Sequence, residues 1–200
     1  MPFPNPQWIK VTGPELLDGL AEGFDDIVPG RSGIYMWKLA VSSRLPFLNG
    51  RRMLDHIDSR CGSPMAQTEG NLGNFVGIQK LTVAGKALPA AKRDLLQKRA
   101  NPAMMHWMNT FLGSLEDSTP SLYVGEASHL DTRVAQHLNL QTDFGKKVDQ
   151  DPALSWMYLD FHYCDLEDTF GEGDGATQVR RSLEWIATMT SVSGYVERAG

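Results

Sequence analysis

Two short strand-like segments, Gly33-Ile34-Tyr35 and Tyr123-Val124-Gly125, constrain the fold most, and their tyrosines stand 88 positions apart. The first opens an aromatic and β-branched run from Gly33 to Val41, in which Ile34 and Met36 alternate with Tyr35 and Trp37. A period of two is the mark of a strand, and it directs Tyr35 away from Ile34. The second, Ser121 to Gly125, leads into Ser128-x-x-Asp131, a capping-box form with Asp in place of Glu. That signal predicts a helix from about His129 to Leu140. If the two strands pair, both phenols project from one side of a small sheet.

The remaining elements fit around that sheet. Residues 7 to 29 carry Leu16, Leu17, Leu20 and Phe24 at helical spacing, ended by Pro29-Gly30. Leu154 to Leu166 reads as a mostly buried strand, with Met157, Leu159, Phe161 and Tyr163 on one face and Trp156, Tyr158, His162 and Cys164 on the other. The acidic, glycine-rich stretch Asp165 to Gly175 reads as a mobile turn without calcium-loop spacing. A last helix, roughly Ala176 to Ser191, presents Val179, Leu183, Ile186 and Thr190 on one face. The expected class is α/β (α+β), a small central sheet flanked by helices.

A chain of 200 residues and 22.2 kDa fits a single domain spanning 1–200. Residues 42–119 then form a mostly helical insertion between the two motif strands, which sheets tolerate because loop entropy grows slowly with length. Within it the pattern predicts a helix at Arg51 to Arg60, a loop at Gly62 to Asn74 and a strand at Phe75 to Val83. Two further helices, Ala90 to Ala100 and Pro102 to Leu115, are divided by Asn101-Pro102. Met104, Met105, Trp107, Met108 and Phe111 read as core of the second.

The net charge of −5 excludes binding nucleic acid by bulk electrostatics, so any such contact must use a local patch. Cys61 and Cys164 match no zinc spacing and read as reduced thiols, and His162 with Cys164 lacks a second ligand pair. With neither a signal-peptide pattern nor a membrane-spanning run, a cytoplasmic location and no membrane partner are expected.

Tyr35, Tyr123, Arg133, His137 and Glu184 together supply the parts for phosphodiester cleavage. Arg133 and His137, four apart on a helix, share a face. A guanidinium forks onto phosphate oxygens and stays charged, whereas an imidazole titrates near the range useful for proton handling. Glu184, between Leu183 and Ile186, lies at the margin of an apolar face, and one carboxylate with retained waters is how magnesium is usually held. A phenol titrates near 10, so Tyr35 serves as a base only where a neighbouring cation or metal-bound water lowers that value. Each residue also has a plain structural reading: half-buried strand tyrosines, a solvated helix face, and a surface glutamate opposite Arg180 or Arg181.

Jointly, Gly33-Ile34-Tyr35, Tyr123-Val124-Gly125, the arginine of the next helix and the glutamate of the last resemble the GIY-YIG nuclease superfamily. The resemblance covers residues 30 to 41 and 121 to 196, and the Arg133–His137 step is similar to its restriction-enzyme branch. It implies Tyr35 as general base, Tyr123 orienting water or phosphate, Arg133 on phosphate, His137 assisting Tyr35 or touching phosphate, and Glu184 holding one Mg2+, with Mn2+ as a substitute. The chain departs from the family in three ways: the long separation of the tripeptides, the absence of asparagine in Ser193-Gly-Tyr-Val-Glu-Arg198, and an added carboxylate at Glu126.

The expected function is a metal-dependent endonuclease acting on DNA, in restriction or defence against phage. Lys92, Arg93, Lys98 and Arg99 of the insertion are the candidate nucleic-acid contacts, beside the reading of a solubilising surface. The insertion could instead dock a partner protein or a second copy in a homodimer. Rival readings are a non-catalytic binding module on the same fold, or a nuclease subunit or toxin within a larger complex.

Overall fold

The computed structural model describes residues 6–24, 26–61, 68–70, 81–83, 88–116, 119, 121–151, 154–171 and 173–190. The helical spacing over residues 7 to 29 resolves into a short strand, β1 (Ile9–Val11), and a helix, α1 (Gly13–Glu22). Glu15 sets that boundary: its carboxylate accepts the Thr12 backbone N–H at 2.7 Å and the Thr12 hydroxyl at 2.6 Å. The helix can therefore begin only after Thr12.

Alternation builds the next strand, β2 (Gly33–Leu39). The insertion follows as α2 (Gly50–Cys61), a two-stranded ribbon of β3 (Thr68–Gly70) and β4 (Leu81–Val83), α3 (Ala90–Arg99) and α4 (Pro102–Leu115). Of the predicted loop Gly62 to Asn74 and strand Phe75 to Val83, only 68–70 and 81–83 fall among the described residues, and both are strand. Met53, Leu54, Met108 and Leu112 of the insertion, with Val41 just before it, form a core distinct from that under the main sheet. Trp107 and Phe111 correct the expectation that they belong to it: they stack on each other with centroids 5.4 Å apart and stay exposed.

After the insertion come β5 (Ser121–Ala127), α5 (Leu130–Leu138) and α6 (Asp143–Gln150), a single 3-10 turn at Trp156–Tyr158, β6 (Leu159–Asp165), α7 (Glu167–Phe170) and α8 (Asp174–Thr190). The main sheet is antiparallel throughout, in the order β1-β6-β2-β5, so the class is α+β. No helix among the described residues is long and apolar enough to cross a membrane.

Period two sorts the side chains between the two faces. Tyr35, Trp37, Phe161 and Tyr163 join Leu16 of α1, Leu130 and Val134 of α5 and Phe144 of α6 on one face. Ile34, Val124 and Cys164 meet Leu183 and Ala187 of α8 on the other. Burying rows of this size supplies the main driving force, at roughly 25 cal/mol per Å2 of apolar surface.

Three local expectations are corrected. Ser128 does not cap α5, whose N-cap is His129; its first turn is held instead by the Leu130 N–H donating to the Arg31 carbonyl at 3.0 Å. The acidic stretch after β6 is not a bare turn: it holds α7, where Arg31 pairs with Asp168 at 3.0 Å and the Ser32 N–H donates to Glu167 at 3.1 Å. On α8, Ile186 faces outward, 52% exposed, while Ala176, Arg180, Leu183 and Ala187 turn toward the sheet.

Candidate active site

Backbone register brings the two tyrosines together. Tyr35 lies opposite Gly125 and Trp37 opposite Tyr123, so the phenols are diagonal neighbours on one face, with ring centroids 6.0 Å apart. Both motif glycines are required by close approach rather than by backbone freedom. A Cβ on Gly125 would lie 2.5 Å from the Tyr35 hydroxyl and 3.0 Å from the Tyr123 ring. One on Gly33 would lie 2.4 Å from the Cys164 carbonyl oxygen, within the β2–β6 ladder.

α5 lays His137 over this pair. The Tyr35 hydroxyl and His137 Nε2 are 2.9 Å apart, and on the far side of the imidazole Nδ1 stands 2.6 Å from Thr142 Oγ1. Thr142 also caps α6, accepting the Gly145 N–H at 3.0 Å. Trp37 and Phe144 meet the imidazole edge-on, and Tyr35 and His137 are each 1% exposed. Tyr123 is only half-buried, stacked on Phe144 at 4.8 Å. It is therefore the phenol that faces outward.

Burial governs the electrostatics. It holds the Tyr35 phenol well above 10, reinforced by Tyr123 and only partly opposed by the Arg133 charge. The resting phenol thus keeps its proton, contrary to the lowered value that a base role by itself requires. Burial, with the Arg133 charge adding to it, drives His137 down to about 3, so the imidazole is neutral at physiological pH.

Arg133 and Glu184 approach from the two sides of the sheet. Arg133 projects from α5, where its charge is felt by Tyr35, His137 and Glu184, yet among the described residues no carboxylate forms an ion pair with it. Glu184, half-buried on α8, is pushed above the usual carboxylate range by burial first and the Glu126 carboxylate second, with Arg181 and Arg133 opposing. The two faces communicate because β5 is the edge strand. Glu126 projects from it toward α8 and meets Arg180 at 3.6 Å and Arg181 at 3.8 Å. Its Oε2 is buried without a hydrogen bond.

Glu184 is the group in this neighbourhood that could contribute to holding a hard divalent cation. Magnesium takes one or two carboxylates and completes its shell with water; Glu184 is the carboxylate available for this, since Glu126 already faces Arg180 and Arg181. No group of three or more His, Cys, Asp or Glu suited to a metal occurs among the described residues, so water would have to supply most of the shell.

The five residues singled out from the sequence, Tyr35, Tyr123, Arg133, His137 and Glu184, thus fall within one electrostatic neighbourhood. The basic residues of α3 behave differently from one another. Arg93 is tied to Asp55 at 2.5 Å and to Asp58, fastening α3 to α2, whereas Lys92, Lys98 and Arg99 are exposed. The region Ser193 to Arg198 lies outside the described residues. Thr142 is not evident from sequence: its one signal is a threonine three residues before a glycine at a helix start, a pattern that marks a cap and says nothing about a histidine. No family model, curated protein or solved structure matches the chain.

Proposed function

We propose that the protein is a metal-dependent endonuclease hydrolysing DNA phosphodiester bonds, a member of the GIY-YIG type serving restriction or defence against phage. The observation that carries this reading is the 2.9 Å contact between the buried Tyr35 hydroxyl and His137, with an arginine one helical turn away that has no carboxylate partner among the described residues and a half-buried carboxylate within electrostatic reach. Each group has one task. Arg133 binds the scissile phosphate through its guanidinium fork. Tyr123, the phenol open to solvent, orients the attacking water. The water's proton passes by way of the open Tyr123 hydroxyl to the sealed Tyr35 oxygen, as Tyr35 passes its own to His137 Nε2.

A neutral phenol is a poor base, and this relay gives its proton an acceptor, although burial, the larger cause of the depressed His137 value, still opposes the transfer. Phosphate bound at Arg133 cancels the charge that opposes protonation of His137, so the imidazole becomes a better acceptor when substrate is present. Glu184 would hold magnesium, which supplies positive charge to the phosphate oxygens. Supercoiled plasmid incubated with magnesium should be nicked or linearised, and chelator should abolish the effect. Retained DNA binding without cleavage, with magnesium and with manganese, would move the assignment to a non-catalytic binding module.

A further inference from the structure

We propose that Thr142 is a positioning residue: its hydroxyl receives the Nδ1–H of His137 and so leaves the Nε2 lone pair facing the Tyr35 hydroxyl. Three contacts support it: Tyr35 to Nε2 at 2.9 Å, Nδ1 to Thr142 Oγ1 at 2.6 Å, and the Gly145 N–H to the same oxygen at 3.0 Å. A neutral imidazole carries one proton, and two arrangements compete for it. In the first, the phenol donates to Nε2 and Nδ1–H donates to threonine. In the second, threonine donates to Nδ1 and Nε2–H donates to the phenol oxygen.

Donor and acceptor strengths select the first. A phenol O–H is a stronger donor than an alkyl hydroxyl, and its oxygen, conjugated with the ring, is the poorer acceptor. Imidazole nitrogen is the best acceptor in the group. Pairing the strongest donor with the strongest acceptor places the phenol proton on Nε2 and leaves the imidazole N–H for the threonine oxygen. Thr142 is only half-buried, so its own O–H is not confined to a sealed interior as the Tyr35 hydroxyl is. Since Thr142 Oγ1 is also bound to the first turn of α6, it cannot swing away without uncapping that helix. The imidazole plane is thereby fixed from a second helix.

The catalytic consequence rests on the nuclease reading; the proton's location does not. Nitrogen-15 NMR of the full chain at neutral pH, with the His137 resonance among the five histidines assigned through His137→Gln, reads the proton's position directly. The wild type should carry it on Nδ1, and Thr142→Ser should retain both that signature and cleavage. Thr142→Gly keeps a tolerated helix start but removes the hydroxyl. It should lose the Nδ1–H preference and lower kcat roughly tenfold or more, with KM held and thermal melting showing a folded chain. A wild-type proton on Nε2, or a Thr142→Gly variant with unchanged tautomer and kcat, overturns the proposal. If wild type cleaves no DNA while the tautomer results hold, the positioning role stands and the nuclease reading falls.

Discussion

At the scale of single residues, two positions carry most of the consequence. The space at Gly125 is filled by the Tyr35 hydroxyl, 2.5 Å from where a Cβ would sit. Gly125→Ala should therefore displace that hydroxyl from His137 and cost about 1–3 kcal/mol by overpacking. Urea unfolding measures the cost, and DNA cleavage should fall further than that cost alone accounts for. His137 gives a pH signature whose sign follows from its depressed value. The unfolded chain takes up a proton near 6.5 that the folded chain refuses until about 3. Stability is thus full above 6.5 and declines as pH falls through that window, by up to about 1.4 kcal/mol per unit. Depressed carboxylates such as Glu15 and Glu116 add their losses only at lower pH, whereas the raised Glu184 acts with opposite sign. Urea titrations between pH 6.5 and 5 in a Glu184→Gln background should show the decline, and adding His137→Gln should flatten it. A tyrosine, an arginine and a histidine of suitable spacing are legible in a sequence; that Tyr35 is sealed and Tyr123 is the open phenol is not, because it depends on how α5 and Phe144 cover the sheet.

At the scale of elements, α8 decides where Glu184 sits, and a charged residue anchors it. Arg180 is 3% exposed against the sheet and faces Glu126 of β5. Removing one partner of such a pair leaves a buried charge uncompensated, whereas removing both is far less costly. Arg180→Met should destabilise the fold by about 1–3 kcal/mol, Arg181 still facing Glu126, and Glu126→Gln with Arg180→Met should recover much of it. A denaturation cycle over the two single variants and the double decides this; independent, additive losses would contradict the anchoring role. The same arginine explains why apolar spacing misplaces the inner face of α8. Spacing singles out Ile186, while the buried stripe runs through Ala176, Arg180, Leu183 and Ala187. β2 and β6 are legible because period two survives burial on both faces. α6 is not, since its eight residues bury only Phe144, Gly145 and Val148, too few to establish a helical period. Gly33 belongs to this scale as well: its close approach is to backbone of β6, so it governs strand pairing rather than chemistry.

At the scale of the molecule, the inserted segment, with Val41, forms one apolar core and the sheet another, with the tyrosine pair under the latter. Under the proposed function the insertion would supply recognition, and the basic residues of α3 divide into two kinds. The triple variant Lys92→Ala, Lys98→Ala, Arg99→Ala should weaken DNA binding and reduce the salt slope, by up to about 0.9 for each phosphate no longer neutralised. Fluorescence anisotropy across a salt series reads both; Arg93→Ala should instead loosen α3 from α2. A net charge of −5 makes any such binding local, consistent with a few phosphates engaged rather than a coat. The central claim is that Tyr35 and Glu184 act on one phosphate. It is tested most directly by single-turnover cleavage of an end-labelled DNA duplex in magnesium, with wild type, Tyr35→Phe and Glu184→Ala side by side and binding measured in parallel. The account predicts cleavage by wild type, with both variants slowed by on the order of a hundredfold or more while still binding DNA. Equal cleavage by wild type and Tyr35→Phe, or by wild type and Glu184→Ala, would contradict it.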